Sequence, residues 1–326
     1  MIPVTALSPR LSPAGKGKRS VALHRFAVLT AVATLGLIFA GGLVTSTESG
    51  LSVPDWPLSY GKLMPPMVGG VRYEHGHRMV ATTVGILTVI LAVWLARREP
   101  RRWVRRLGWV ALAMIVAQGV LGGLTVLFLL PTAISVAHAC LAQTFFCITV
   151  TLAVVTSPAW ESGAAPDPAT RLAALTASAV FLQLLVGAVM RHTKAGLSIP
   201  DFPLSLGRMV PPLDSFPVAI AFAHRAWALV VAGLVLATTA ATLRSRRPNL
   251  SRAALALSLL VVVQIALGAI TVLSKKNVAV TTAHVATGAL LLGTAVALGV
   301  GSLSRRRLMA VTARPVDGDG KVVAWK

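Results

Sequence analysis

Residues 50–61 read GLSVPDWPLSYG, and residues 196–207 read GLSIPDFPLSLG. The chain is written twice. Outward from these segments the echo continues, always at an offset of 146 or 147 residues: His77-Arg78 returns as His224-Arg225, QGVLGGLTVL at 118–127 as QIALGAITVL at 264–273, and His138 as His284. A tandem duplication predicts two copies of one folding unit. Four histidines arriving as two equivalent pairs, about sixty residues apart within each copy, predict two equivalent binding sites.

Between the repeated loops the sequence is apolar. The 326 residues are 55% hydrophobic and 13% charged, and the mean hydropathy is +0.76. Ordinary soluble domains carry about 25% charged residues. The run Phe26 to Val44 holds nineteen residues without a charge, enough for a helix to cross a hydrocarbon layer of about 30 Å. Eight such spans are expected, near 25–45, 75–96, 107–129, 133–156, 171–190, 218–242, 253–273 and 279–302. The first follows a basic stretch, but it is longer than a secretory signal core and no clean cleavage site follows, so it reads as a retained anchor. The predicted fold class is all-α, an eight-transmembrane-helix bundle made of two tandem four-helix repeats. An even number of spans per copy keeps both in one orientation, related by a pseudo-twofold along the membrane normal. The expected organisation is a disordered basic tail (1–22), an N-terminal half (23–156), a Pro/Ala/Gly-rich linker (157–170), a C-terminal half (171–303) and a second tail (304–326).

The formal net charge of +21 raises the question of nucleic acid, and the location of the charges answers it. Basic residues concentrate in the N-terminal tail (Arg10, Lys16, Lys18, Arg19, Arg25), the second loop (Arg97, Arg98, Arg101, Arg102, Arg105, Arg106), the sixth loop (Arg244, Arg246, Arg247, Arg252) and the C-terminal tail (Arg305, Arg306, Arg307). With eight spans all of these fall on one side. That asymmetry places both termini in the cytoplasm of a multi-pass protein of the inner (cytoplasmic) membrane. The partner it implies is the lipid bilayer; no nucleic-acid partner is expected, and oligomers are compatible with the pattern. Cys140 and Cys147 both lie in the fourth span, too far apart along the axis for an easy disulfide, and read as packing residues.

The long loops, about 46–74 and 191–217, carry prolines on both sides of an aspartate–aromatic pair, which forbids regular helix and favours a compact turn. Trp56 and Phe202 either anchor at the interface or cover the edge of a bound group. Glycines inside spans (Gly85, Gly122, Gly123, Gly233, Gly268, Gly288) let helices approach closely or let a ring lie against backbone. His77, His138, His224 and His284 each fall within about seven residues of the start of an even-numbered span, so all four share the outer third of the membrane. Ionisable groups inside membranes are rare and functional. Neither pair has the extra Cys or carboxylate ligands that zinc takes. Haem needs one or two axial imidazoles, and a flat macrocycle fits between apolar helices. Arg78 and Arg225, next to His77 and His224, suit haem propionates or snorkel to headgroups. Glu74, one turn before His77, has no counterpart in the second copy, where Ala221 stands. A carboxylate beside one site only suggests an active site paired with an electron-transfer site, or else a solvated helix N-terminus. His75 is expected to be exposed, and His24 and His192 to sit at the interface.

TESGLSVPDWPLSYG, the Glu74–His77–Arg78 spacing, QGVLGGLTVL followed by His138, and the repeated set ending at His284 together resemble the haem A synthase family, over about residues 25 to 302. The resemblance implies an enzyme that oxidises the C8 methyl of haem O to a formyl group by successive hydroxylations, supplying a cofactor of cytochrome oxidase. It implies haem b as cofactor, held by His224 and His284, and haem O as substrate between His77 and His138. It links Glu74 to activity, and it implies haem O synthase and an electron donor, a quinol or a ferredoxin-like protein, as partners. Several members carry a cysteine pair flanking PDWPL; here Val53 and Ser59, and Ile199 and Ser205, stand there. No external disulfide is expected. The rival readings are a bis-histidine b-type membrane cytochrome that carries electrons from quinol, and a transporter with parallel repeats. The second predicts polar residues at mid-membrane, whereas the ionisable residues cluster at the outer end.

Overall fold

The computed structural model describes residues 20–161, 163–245 and 247–304. Among the described residues eight helices cross the molecule: α1 (Val21–Ser46), α2 (Val71–Arg98), α3 (Arg102–Leu127), α4 (Thr132–Thr156), α5 (Pro168–His192), α6 (Phe216–Arg244), α7 (Pro248–Leu273) and α8 (Val278–Ser302). All eight contain a stretch long and apolar enough to span a bilayer. Among the described residues there is no strand, only an isolated bridge in each long loop, Ser59 with Lys62 and Ser205 with Arg208. The tails at 1–19 and 305–326, and Arg246, with the basic residues assigned there, lie outside the described residues.

The helices run about a turn beyond the apolar stretches, because hydrogen-bonded backbone continues where side chains turn polar. Ser20, Asp167 and Asn277 cap α1, α5 and α8 by accepting backbone N–H bonds. Inside the helices Thr30, Thr34, Thr88, Thr156 and Thr242 each turn a hydroxyl back to the carbonyl four residues earlier. A hydroxyl satisfied this way leaves no unpaired donor in hydrocarbon.

In each half the helices form a ring of four neighbours. α1 touches α2 and α4, and α3 closes the ring; α5 touches α6 and α8, and α7 closes it. α2 and α4 therefore stand across one diagonal, α6 and α8 across the other. The halves meet through α1, α4, α5 and α8. Lipid offers no hydrophobic gain for association, so the seam depends on close packing and buried hydrogen bonds. Gly293 of α8 leaves room for the Phe146 ring of α4, where a Cβ would come within 2.7 Å. Arg191, at the end of α5, donates from Nη2 to the Gly42 carbonyl (3.2 Å) and Ser46 Oγ (2.9 Å) of α1. At the opposite end Trp160 Nε1 donates to the Val300 carbonyl (3.1 Å), fastening the segment after α4 to α8.

Candidate functional site

Each long loop is built by one aspartate. Asp55 accepts the backbone N–H groups of Tyr60 (2.6 Å) and Gly61 (2.8 Å); Asp201 accepts those of Leu206 and Gly207 (both 2.8 Å). The turn so closed has positive φ at Tyr60 and Gly61, and at Leu206 and Gly207. The N–H of Gly61 and then that of Tyr60 hold the Asp55 carboxyl below the usual carboxylate range; Gly207 and Leu206 do the same for Asp201.

The arginine after each histidine then docks the loop. Arg78 Nη1 donates to the carbonyls of Asp55 (2.8 Å) and Leu58 (2.9 Å), and Nη2 to that of Val53 (3.2 Å). Arg225 repeats the pattern with Asp201 (2.8 Å), Leu204 (2.9 Å) and Ile199 (2.7 Å). A guanidinium fork suits several fixed acceptors at once. The copies differ around it. Glu74 Oε1 accepts from Arg78 Nη2 (2.7 Å), and its Oε2 accepts the Val53 N–H (2.9 Å). Glu74 is 4% exposed; it is not a solvated helix terminus. His75 departs from expectation. It is buried, with Nδ1 2.8 Å from Ser59 Oγ, because α2 begins at Val71, a turn ahead of the apolar run, and turns His75 under the loop. Neither Glu74 nor His75 has a counterpart at Ala221 and Phe222. His24 and His192 are partly buried near helix ends, and His24 Nδ1 meets the Ala153 carbonyl at 3.0 Å.

Beneath the loops lie the four histidines. His77 and His138 come from α2 and α4, His224 and His284 from α6 and α8, the diagonal pairs of each ring. The rings of His224 and His284 have centroids 6.5 Å apart. Every imidazole rests on a glycine of the preceding helix: His77 on Gly41, His138 on Gly122, His224 on Gly187, His284 on Gly268. A Cβ there would stand 3.2, 3.2, 3.0 and 3.1 Å from the respective Cε1. Trp56 lies over Gly123, beside the seat of His138, where a Cβ would come within 2.6 Å of its ring. Glutamine amides flank three of the four rings. Gln118 Nε2 donates to the His138 carbonyl (3.0 Å) and Gln183 Nε2 to the His224 carbonyl (2.9 Å). Gln118, Gln183 and Gln264 place Nε2 within 3.4, 3.3 and 3.4 Å of the imidazole Nε2 atoms of His138, His224 and His284.

The chain matches the family described as cytochrome oxidase assembly protein, COX15-CtaA, over residues 24–69 and 71–296. The chain belongs to the COX15-CtaA family. It is 34% identical to a protein of Symbiobacterium thermophilum named heme A synthase, over 78% of this chain and 85% of that one. It is 30% identical to one of the same name from Beijerinckia indica subsp. indica, over 87% and 93%.

For this member of the COX15-CtaA family the donor set can be tested against haem. All four imidazole Nδ1 atoms and the Oε1 atoms of the three glutamines are buried with no hydrogen-bond partner, an arrangement that is costly unless another group completes it. Two imidazoles sharing one metal ion through bonds of about 2 Å place their ring centres about 6 Å apart, close to the 6.5 Å of His224 and His284. The glycine seats keep side-chain atoms out of the apolar space around each ring. The residues fit haem. Among the described residues no three His, Cys, Asp or Glu side chains come together, and Cys140 and Cys147 are free thiols. Two apolar concavities of about 400 and 300 Å³ lie elsewhere, lined by residues such as Trp103, Trp160 and Leu303, and by Ala173 and Val296. Both are at the end opposite the histidines and hold no titratable side chain.

Gln118 and Gln264 lie in the repeated segments. Gln183 and Gly187 share with them a pattern of a glutamine four residues before a glycine, present at 118 and 122, 183 and 187, and 264 and 268; Gly41, with Leu37 four residues before it, carries no such signal.

Proposed function

We propose that this protein is a haem A synthase, oxidising the C8 methyl of haem O to a formyl group. The observation that carries this reading is the facing pair of imidazoles on apolar diagonal helices, His224 and His284, in a chain whose relatives of that name match over most of their length. His224 and His284 hold a resident haem b, and His77 and His138 receive the substrate haem. Bound haem supplies one-electron chemistry and iron ligation; the remaining roles belong to the chain. The glycine seats orient the imidazoles, and the docked loops close the outer mouth of each half. Arg78 and Arg225, already tied to loop carbonyls, also set positive charge one residue from His77 and His224 and would pair with the propionates of a bound haem.

Two successive hydroxylations of the methyl, each consuming one dioxygen, two electrons and two protons and releasing one water, give a geminal diol that loses water to the aldehyde. Glu74 holds the loop over the substrate half and is the carboxylate available to move a proton or to stabilise positive charge there. The electrons come from a donor, a quinol or ferredoxin-like protein, and haem O from a haem O synthase. The arginine-rich ends of α2, α3, α6 and α7 support an inner-membrane protein with both termini in the cytoplasm. The shared neighbour pattern of the two rings supports a pseudo-twofold along the membrane normal, between halves 23–156 and 171–303 joined by 157–170.

The test is co-expression with a haem O synthase, then haem extraction and mass analysis. The expected result is formyl haem, lost in Glu74→Ala while the haem of the C-terminal half stays bound. A protein that carries haem and leaves haem O unmodified is an electron carrier, and the proposal fails.

A further inference from the structure

One face of α5 carries a glycine and, a turn closer to the loop end, an arginine. Gly187 seats the His224 ring, and Arg191 stands four residues on, above the same seat. Arg191 is largely buried, and its charge acts on the His284 imidazole as well. Its Nη2 is spent across the seam on two uncharged acceptors, the Gly42 carbonyl and Ser46 Oγ. Among the described residues no carboxylate pairs with it, and Nη1 and Nε have no hydrogen-bond partner. A cation enclosed at membrane depth without an anion is costly, and such groups mark sites of function. Arg225 differs, because both of its terminal nitrogens are already committed to loop carbonyls. In the first copy Thr45 stands where Arg191 does, and turns its hydroxyl back to the Gly41 carbonyl (2.9 Å). The copies therefore differ by opposite charges near their loop ends: Glu74 in place of Ala221, and Arg191 in place of Thr45.

We infer that Arg191 binds a propionate of the haem that His224 and His284 hold, and that this contact makes that haem resident. The inference rests on the haem reading above. The propionates are the anionic groups of a haem, so they are what an unpaired guanidinium beside both imidazoles takes. Nη1 supplies the charge-assisted N–H groups. Nη2, tied to α1, fixes the guanidinium before the anion arrives, which lowers the ordering cost of the contact. The N-terminal half has no such anchor: Thr45 carries no charge, and Arg78 already shares its own with Glu74 at 2.7 Å. A half that keeps an electron relay needs strong retention. A half that must release its product needs less.

The test uses full-length protein in detergent carrying His77→Ala and His138→Ala, so that only the C-terminal pair of histidines remains. Soret titration of the haem-free protein gives its affinity for haem b and for haem b dimethyl ester, whose propionates carry no charge. The free acid should bind at least about tenfold more tightly, the effect of one charge-assisted hydrogen bond. Adding Arg191→Leu should cut that preference about tenfold, weakening the acid and sparing the ester, and Arg191→Lys should keep part of it. Arg191→Gln retains a donor for Gly42 and Ser46 while removing the charge, and decides alone if Arg191→Leu fails to fold. Equal weakening of both haems would mean that Arg191 serves the seam alone. A preference for the acid that survives loss of the charge would mean that the propionates lie elsewhere. Either result overturns the inference and leaves the haem reading standing. Protein that takes up neither haem while Arg191 is intact overturns the haem reading itself.

Discussion

Replacing Glu74 by alanine should loosen one loop and leave its twin untouched. Val53 is fully buried, and its N–H is held by Glu74 Oε2 at 2.9 Å. Removing the carboxylate strands that amide, and a buried donor left without a partner costs about 1–3 kcal/mol. The ion pair contributes less, because Arg78 keeps three loop carbonyls and is not left bare. About 2 kcal/mol corresponds to roughly thirtyfold in an opening equilibrium. Hydrogen exchange followed by mass spectrometry reads this directly on peptides covering 50–61, and those covering 196–207 serve as an internal reference. The expected outcome in Glu74→Ala is exchange about thirtyfold faster in the first loop and no change in the second. Glu74→Gln retains a carbonyl for the Val53 N–H and should stay near wild type in exchange. First-loop protection unchanged in Glu74→Ala would refute the role given to the carboxylate. Equal losses in both loops would do so too, since they would mean global destabilisation.

Three further outcomes follow from the same geometry. Gly187→Ala places a methyl 3.0 Å from His224 Cε1 and should displace the ring, costing about 1–3 kcal/mol by overpacking; bound haem should fall, whereas Gly85→Ala, which meets nothing within 4 Å, should match wild type. The Asp55 and Asp201 carboxyls titrate below the usual carboxylate range, so their loop bonds contribute fully above about pH 4 and are lost as pH falls through the depressed folded values; limited proteolysis of the loops should accelerate below about pH 4, and Asp55→Asn should remove that dependence from the first loop alone. Arg191→Leu removes both bonds to α1 at the seam between halves, worth about 1.5–3 kcal/mol for a charged donor, and should lower the melting temperature in detergent, with Arg191→Lys falling between.

The architecture could be read from the sequence because both of its determinants are periodic along the chain. Apolar runs of membrane length mark the eight helices, and the duplication marks which histidines are equivalent. The local geometry was less legible because it depends on loops folding back onto helices. The spacing of Glu74, His75 and Arg78 shows that they share the start of α2; it does not show that residues 53–59 return over them, burying His75 and binding Arg78 through carbonyls, as residues 199–204 bind Arg225. Gln183 is less legible for a different reason. The copies share Gln118 and Gln264, whereas Gln183 has Leu37 as its counterpart.

The two loops share a backbone set by an aspartate, a left-handed turn and an arginine, although Tyr60 in one is Leu206 in the other and Trp56 is Phe202. Such a loop behaves as a cassette. Its socket recognises carbonyl groups, which every residue supplies, so the outward-facing side chains are free to change without disturbing how it plugs in. After a duplication, each copy could therefore alter the lining of its lid independently while inheriting a working latch. Residues 196–207 grafted in place of 50–61 would find the same latch at Arg78. The graft would forfeit the tyrosine hydroxyl that Tyr60 donates to the Ser52 carbonyl and the tryptophan fitted to Gly123, which are the parts tailored to the first site.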